Sequence, residues 1–155
     1  MSSTIRRDVK AAIAAILQSV TGVSSVYTYS PRITSQVENP RIVVHLSKSK
    51  ETRISESAPI GKKKIDFTAQ LEIYAQDLTP DGAGQVSFEA VLDDIDVALR
   101  QNLTLGNPTI NGGILLAAGL ESIDTTVAPP MLATGSQTIL LLAVKQFDVL
   151  VQVTG

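Results

Sequence analysis

The residues that could do chemistry are a few carboxylates, one histidine and a glycine-rich turn. Asp66 and Glu72 fall on one face of a predicted strand, where two carboxylates can work as an acid–base pair. His45 is the single histidine and lies on another predicted strand, without a carboxylate or serine pattern around it. We therefore interpret His45 as a partly exposed strand residue and the two carboxylates as surface charges.

The glycine-rich stretch 82–87, GAGQVS, is similar to the dinucleotide fingerprint G-x-G-x-x-G, but Ser87 replaces its third glycine. Six residues, 76–81, also separate the stretch from the preceding strand, whereas the fingerprint needs a tight strand-to-helix turn. The aspartates between 77 and 96 lack EF-hand spacing, and no nucleophile-elbow, Walker or HExxH motif is present. The sequence predicts no enzyme, no cofactor and no metal site.

Composition narrows the class of protein further. The chain of 155 residues is 44% hydrophobic, which predicts a single domain, 1–155, with a substantial core. It has no cysteine, which excludes disulfides, thiolate metal sites and a cysteine nucleophile. A net charge of -2 argues against nucleic acid, sequence-specific or not, as a partner. Arg6-Arg7 faintly resembles a twin-arginine signal, but the apolar run after it is too short, and no run is long enough to cross a membrane.

The strand that organises the chain is Lys64 to Ala75, KIDFTAQLEIYA. Apolar and polar residues alternate over its whole length, which is the pattern of a half-buried strand. Apolar stripes at helical spacing predict one helix ending near Ser19 and a second that is capped by Ser87 and runs to about Asn102. Further strands are predicted at 23–29, 41–46, 114–127 with a kink near Gly119, and 136–153. The last strand has two apolar faces, so we expect it to be covered on both sides.

The resulting order is α-β-β-β-α-β-β. We therefore predict an α+β fold in which a single, mostly antiparallel sheet carries two helices packed on one face.

Between the second and third strands lies a long charged arm, residues 47–63. With the adjoining Lys64, its ionisable residues give a net charge of +4, against -6 for the rest of the chain. The basic residues are Lys48, Lys50, Arg53, Lys62, Lys63 and Lys64. A loop this long is either a solvated hairpin tip or a binding arm that becomes ordered against an acidic partner.

The second helix supplies an acidic counterpart to that arm. Its acidic residues are Glu89, Asp93, Asp94 and Asp96. Their position in the first half of the helix suits the helix dipole, and such a face is most often simply solvated. Together, the basic and acidic sets are the candidate surfaces for contact between subunits or with a partner.

This order of elements resembles that of the tail terminator and tail-completion proteins of long-tailed bacteriophages, the lambda-type tail terminator fold. The resemblance is carried by five stretches that together cover most of the chain. They are RRDVKAAIAAILQSV, Asn39-Pro40 before RIVVHL, KKKIDFTAQLEIYAQD, FEAVLDDIDVALRQNL and TILLLAVKQFDVLVQV.

The resemblance implies a structural virion protein without catalytic residues. Such proteins form a homo-oligomeric ring, commonly a hexamer, which ends the tail tube and joins the tail to the neck of the head. The implied partners are further copies of the chain, the tail tube protein and a head–neck connector protein. The implied location is the tail or neck of the virion, and the host cytoplasm during assembly. Two alternatives stay open: another neck or baseplate component, and a small enzyme of unknown chemistry.

Overall fold

The computed structural model describes residues 4–29, 40–53, 62–77, 82–110, 113–132 and 138–154. The described elements, in chain order, are α1 (Ile5–Gln18), β1 (Ser25–Tyr27), β2 (Arg41–Arg53), β3 (Lys62–Asp77), α2 (Ala83–Gln101), β4 (Gly113–Val127), β5 (Met131–Leu132) and β6 (Ile139–Thr154). The predicted α+β class and its order of elements are confirmed. The short strand β5 is an addition, because it falls where the sequence predicts a loop.

The strands form one sheet in the order β1-β2-β3-β6-β4, and β5 pairs with the start of β6. The predicted organising strand, β3, lies at its centre and pairs with β6 along its full length, from Lys62 opposite Thr154 to Asp77 opposite Ile139. β1 and β2 form the one parallel pair, and every other described pair is antiparallel. The sheet is thus mostly antiparallel, as predicted.

Both helices pack on the same face of the sheet. Ile42, Ile73 and Ala143 lie side by side on β2, β3 and β6 and are all 0% exposed. They belong to the core that also holds the apolar stripes of both helices. Those helical residues are Ile5, Val9, Ala12, Ile13 and Leu17 of α1 and Phe88, Val91, Leu92, Ile95 and Leu99 of α2. Each large side chain buried in this way contributes about 1.5–3 kcal/mol to folding.

The described elements leave the other face of the sheet, here called the open face, without a cover. Glu72 and Val144 lie next to each other on that face and are only half-buried. Leu140, near the start of β6, is 41% exposed. The second cover predicted for the last strand is therefore not supplied by any described element.

The predicted boundary of β2 at Leu46 is wrong. The strand continues to Arg53 and pairs with β3 down to Lys63, so residues 47–53 form a hairpin with the start of β3. Residues 47–53 are all exposed and show no apolar alternation, since backbone pairing with β3 rather than burial holds them in the ladder. Hereafter "the hairpin arm" means residues 47–53 and 62–64; residues 54–61 lie outside the described residues.

The start of α2 also differs from the prediction, which placed a cap at Ser87. The helix begins at Ala83, after Gly82, which adopts a left-handed φ of 79° that favours glycine. The buried carboxylate of Asp77 lies against Gly84 in the first turn, where a Cβ would clash with it. Gly82 offers no side-chain cap to this helix, and the acidic group at its first turn is Asp77. A carboxylate near a helix N-terminus suits the helix dipole.

Burying a charge under either helix should unfold the protein. We expect Leu92→Asp and Ile13→Asp, at positions that are 5% and 0% exposed, to lower the free energy of unfolding by several kcal/mol. Val97→Asp is the matched control, because Val97 lies on the same helix as Leu92 but is 44% exposed. Chemical denaturation of the three variants tests this, and equal stabilities for Leu92→Asp and Val97→Asp would contradict the assigned core face.

Candidate functional site

A β-bulge decides where the lysines of the hairpin arm lie. The register of β2 against β3 shifts between Leu46 and Lys48, so Ser47 is the extra residue. A one-residue shift exchanges the two faces of a strand. Lys48 therefore lies opposite Thr68 and Lys50 opposite Asp66, both on the open face, and the next open-face residue of β3 is Lys64. Three of the predicted basic residues thus share one face.

The remaining basic residues of the arm lie elsewhere. Arg53 and Lys63 are paired across the hairpin on the helix side of the sheet, where Lys63 Nζ lies 3.4 Å from Glu51 Oε1. Lys62 is the first residue of β3. Both partners of the Lys63–Glu51 pair are substantially exposed, so the pair is worth no more than about 1 kcal/mol.

The predicted acidic residues of α2 do not form one set. Glu89, Asp93 and Asp94 are exposed on the outer side of the helix, as expected of a solvated face. Asp96 instead points to the sheet, where its carboxylate lies 2.7 Å from Lys145 Nζ. Among the described residues, no ion pair joins the hairpin arm to the acids of α2. The two candidate surfaces are therefore both present in one chain without contacting each other through an ion pair.

Lys145 is a buried charged residue that the sequence reasoning missed. It lies on the helix side of β6 between Ala143 and Phe147 and is 1% exposed. Its ammonium group donates hydrogen bonds to Asp96 Oδ1 and to Thr125 Oγ1, each of 2.7 Å. The signal was available, because the period of two places Lys145 on the apolar face of β6. Asp96, Thr125 and Lys145 thus link α2, β4 and β6.

On the open face, β2 and β3 bring four polar side chains together. The Tyr74 hydroxyl donates a hydrogen bond of 2.8 Å to Glu72, and His45 Nε2 lies 3.6 Å from the other oxygen of that carboxylate. The guanidinium of Arg41, whose side chain is largely buried, lies 5.3 Å from the centre of the Tyr74 ring. The predicted pair of Glu72 with Asp66 is not brought together, since they are six residues apart on one strand.

This cluster changes the acidity of its phenol. The pKa of Tyr74 is raised to about 12, first by burial, then by the hydrogen bond to Glu72 and by the negative charge of that carboxylate. The positive charge of Arg41 acts in the opposite direction. At neutral pH, Tyr74 is therefore a hydrogen-bond donor fixed by its neighbours.

Next to Arg41 and Tyr74 the open face becomes apolar and concave. A cavity of about 300 Å³ is lined by those two side chains and by Met131, Leu140 and Leu142, among others. Apolar walls with a few fixed polar groups at the edge are typical of binding surfaces.

Within the described residues, no group of three or more metal-ligating side chains occurs, and no hydroxyl nucleophile is hydrogen-bonded to His45. The described helices include none that is long and apolar enough to span a bilayer.

Removing the partner of the buried lysine should be costly. We expect Asp96→Ala to lower the free energy of unfolding by about 3–5 kcal/mol, because it leaves the Lys145 ammonium buried and unpaired. Lys145→Met should cost less, since the Asp96 side chain is 24% exposed and can be hydrated. Asp93→Ala, at an exposed position on the same helix, should change stability by about 0.5 kcal/mol at most. Denaturant titration measures all three, and equal effects of Asp96→Ala and Asp93→Ala would contradict a structural ion pair.

The raised pKa of Tyr74 predicts a pH effect with a definite sign. A group whose pKa is higher in the folded state stabilises the fold below its unfolded pKa of about 10, and this contribution is lost as the pH rises towards 12. Phenolate absorbance, with the curve of Tyr74→Phe subtracted, should isolate this titration from Tyr27 and Tyr29. Glu72→Gln should move the pKa down towards 10, whereas Asp66→Asn should leave it unchanged. A Tyr74 pKa near 10 in the unmodified protein would refute the cluster.

Comparisons with known proteins were made for the sequence and for the fold. No family model matches the chain, and no curated protein matches it. Among solved structures, the chain is similar to one from the "Virion of native gene transfer agent (GTA) particle", with a TM-score of 0.46 and 13% identity. The match covers 96% of this chain and 98% of the other. Its description names the whole particle and gives the matching chain no separate role.

Proposed function

We propose that this protein is a structural component of a virion, and within it a tail terminator or tail-completion protein. In this role it forms a ring that caps the tail tube and joins the tail to the neck of the head. The observation that carries the proposal is an architecture built for contact: one helix layer, an uncovered sheet face and a protruding basic hairpin. The confirmed order of elements is also the order on which the resemblance to phage tail terminators rests.

Charge segregation supports assembly into a ring. A basic hairpin arm on one copy can contact the acidic side of α2 on the next, because the two surfaces differ and lie apart in the same chain. A contact between two different surfaces is heterologous, and it gives a ring when the rotation from one copy to the next closes. A hexamer is the closure that the family resemblance implies, with the tail tube protein and a head–neck connector on its two sides.

The structure changes which residues we assign to this contact. On the basic side, Lys48, Lys50 and Lys64 share the open face. On the acidic side, Glu89, Asp93 and Asp94 are exposed, whereas Asp96 is engaged with Lys145 inside the subunit. We therefore propose the three exposed acids as the partner set and give Asp96 a structural role.

The protein acts in this proposal by binding and without a reaction of its own. The cluster of His45, Glu72 and Tyr74 then helps to shape a contact surface. Measured hydrolytic or transfer activity that is lost on Tyr74→Phe would favour the small-enzyme alternative instead.

Reversing the charge of the arm should block assembly without unfolding the protein. We expect the triple variant Lys48→Glu, Lys50→Glu, Lys64→Glu to fold, because all three side chains are exposed, but to lose self-association at low salt. Single changes should have small effects, since one exposed ion pair is worth about 0–1 kcal/mol. Sedimentation velocity measures the association, and particles lacking the gene can be complemented to count joined heads and tails.

The matched control is the triple Lys→Arg variant, which keeps every charge and should assemble normally. Free tails of uncontrolled length or unjoined heads with the Glu variant would support the proposed role. Normal joining by a folded Glu variant would remove the arm from the mechanism. Incorporation of the protein into a baseplate would point to the alternative virion role.

A further inference from the structure

Arg41 is a cation that the fold buries with unused hydrogen-bond donors. The residue is 8% exposed, and its Nε atom is buried without a hydrogen-bond partner. Among the described residues, no carboxylate forms an ion pair with its guanidinium group. The ring of Tyr74 lies 5.3 Å from the guanidinium carbon, a cation–π contact that leaves the N–H groups unused. Buried charges are normally paired, because water no longer solvates them.

A second unpaired polar atom lies next to Arg41. Ser25 of β1 pairs with Arg41 of β2, and the Ser25 Oγ atom is also buried without a hydrogen-bond partner among the described residues. Paired residues of neighbouring strands project from the same face of a sheet, here the open face. Unsatisfied buried polar atoms are rare in folded proteins. Two of them at adjacent positions concentrate unused hydrogen-bonding capacity at one point of the sheet.

The cavity of the open face places apolar walls directly beside this cation. Arg41 and Tyr74 line one side of it, and Leu140, Leu142 and Met131 line the other. Its volume of about 300 Å³ is at the lower end of the range for ligand sites, so it accommodates a small apolar group. One cation beside apolar walls fits a ligand that carries a carboxylate next to an apolar group.

The strand register gives the spacing that such a ligand needs. Arg41 pairs with Tyr74 and Tyr74 pairs with Leu142, so the backbones of Arg41 and Leu142 are two strand spacings apart, about 10 Å. Because the guanidinium lies over the Tyr74 ring, the distance from the cation to the apolar wall is between one and two spacings, about 5–10 Å. Residues i and i+2 of an extended peptide project to the same side, about 7 Å apart. An acidic residue two positions from an apolar residue therefore spans the cavity.

Apolar exposure continues outside the cavity. Met131 and Leu132 of β5 are 65% and 68% exposed, and Val127, the last residue of β4, is 56% exposed. A small molecule held in the cavity would leave Leu132 and Val127 uncovered, since neither of them lines it. Contiguous exposed apolar residues mark surfaces that contact other proteins. A peptide segment therefore fits this surface better than a small free acid does.

We propose that the cavity at Arg41 binds a segment of a partner protein in which a carboxylate lies two residues from a large apolar side chain. Arg41 holds the carboxylate by charge-assisted hydrogen bonds, and Leu140 and Leu142 contact the apolar side chain. The site is separate from the hairpin arm. It goes beyond the proposed function and does not depend on the ring or on the virion role.

Two synthetic peptides, acetyl-Glu-Ala-Leu-Leu-amide and acetyl-Gln-Ala-Leu-Leu-amide, test the need for a carboxylate. Titration followed by backbone amide NMR should shift residues 74–76 and 140–142, which line the cavity. We expect the Glu peptide to bind about tenfold more tightly than the Gln peptide, because only the carboxylate forms charge-assisted hydrogen bonds with Arg41. Equal binding of the two peptides, shifts remote from the cavity, or no binding of either would overturn the proposal.

Arg41→Met tests the cation itself. It should reduce the preference for the Glu peptide to less than about twofold, since no charged donor remains in the cavity. The free variant should keep or gain thermal stability, because the substitution removes an unpaired buried charge. A large loss of melting temperature would instead assign Arg41 a structural role and overturn the proposal.

Arg6→Met is the matched control. Arg6 also lies over an aromatic ring, 5.5 Å from the centre of Phe67, but it is exposed and belongs to α1 on the helix side of the sheet. Its substitution should leave the binding of both peptides unchanged. A loss of the Glu preference equal to that of Arg41→Met would contradict the assigned site. Arg41→Lys keeps the charge, so it should retain part of the preference and gives a second readout if Arg41→Met folds poorly.

Free 4-methylpentanoate distinguishes a peptide site from a small-molecule site. It carries a carboxylate and a leucine-sized apolar group without a peptide backbone, and it should bind more weakly than the Glu peptide. Leu132→Ser should weaken the Glu peptide several-fold and leave the free acid unaffected, because Leu132 lies outside the cavity. Tighter binding of the free acid would overturn the choice of a polypeptide. A Glu-specific site in a protein that never enters particles would uphold this inference and refute the virion role.

Discussion

The alternation of β3 is the constraint on which the rest of the structure depends. From Phe67 to Asp77, every second side chain of this strand is buried, and Phe67, Leu71 and Ile73 are at most 1% exposed. A slip of one residue would exchange its two faces and place Glu72 and Tyr74 in the core. Because β2 and β6 both pair with β3, its register sets theirs, and through β6 it also sets that of β4.

Because the helices cover one face of the sheet, a charged side chain on that face must find a partner inside the protein. Lys145 falls on the buried face of β6, where an unpaired ammonium group would be very costly. Asp96 and Thr125 satisfy it from α2 and β4, so the charge ties three elements into a single arrangement. A well-packed apolar residue can stabilise a core as much as a buried ion pair does. The pair is therefore better understood as fixing how α2 sits on the sheet than as a source of net stability.

Much of this fold can be predicted from local patterns. The twelve-residue alternation in β3 and the apolar stripes of α1 and α2 specify the class, the order and the core face. The extension of β2 to Arg53 could not be predicted in this way, because exposed residues of a hairpin are held by backbone pairing and leave no apolar period. The start of α2 at Ala83 depends on the left-handed Gly82 and on the buried Asp77. The sequence pattern instead favoured Ser87, because serine is a preferred N-cap residue.

The candidate site was harder to predict than the fold, since it depends on which residues are neighbours across strands. The basic residues of the arm were identifiable by type, but the bulge at Ser47 decides that Lys48 and Lys50 share a face with Lys64. The contact of His45 with Glu72 likewise requires the register between β2 and β3. Asp96 looked like a surface charge because its partner, Lys145, is distant in sequence.

Three irregularities interrupt β2 and β4. The bulge at Ser47 in β2 and the shift at 119–122 in β4 are level with each other across the sheet, and β4 has a further shift between Leu115 and Ala117. Bulges on edge strands interrupt the ladder of backbone groups and so hinder pairing with other chains. The bulge that places Lys48 and Lys50 on the same face as Lys64 therefore also limits pairing along the edge of β2.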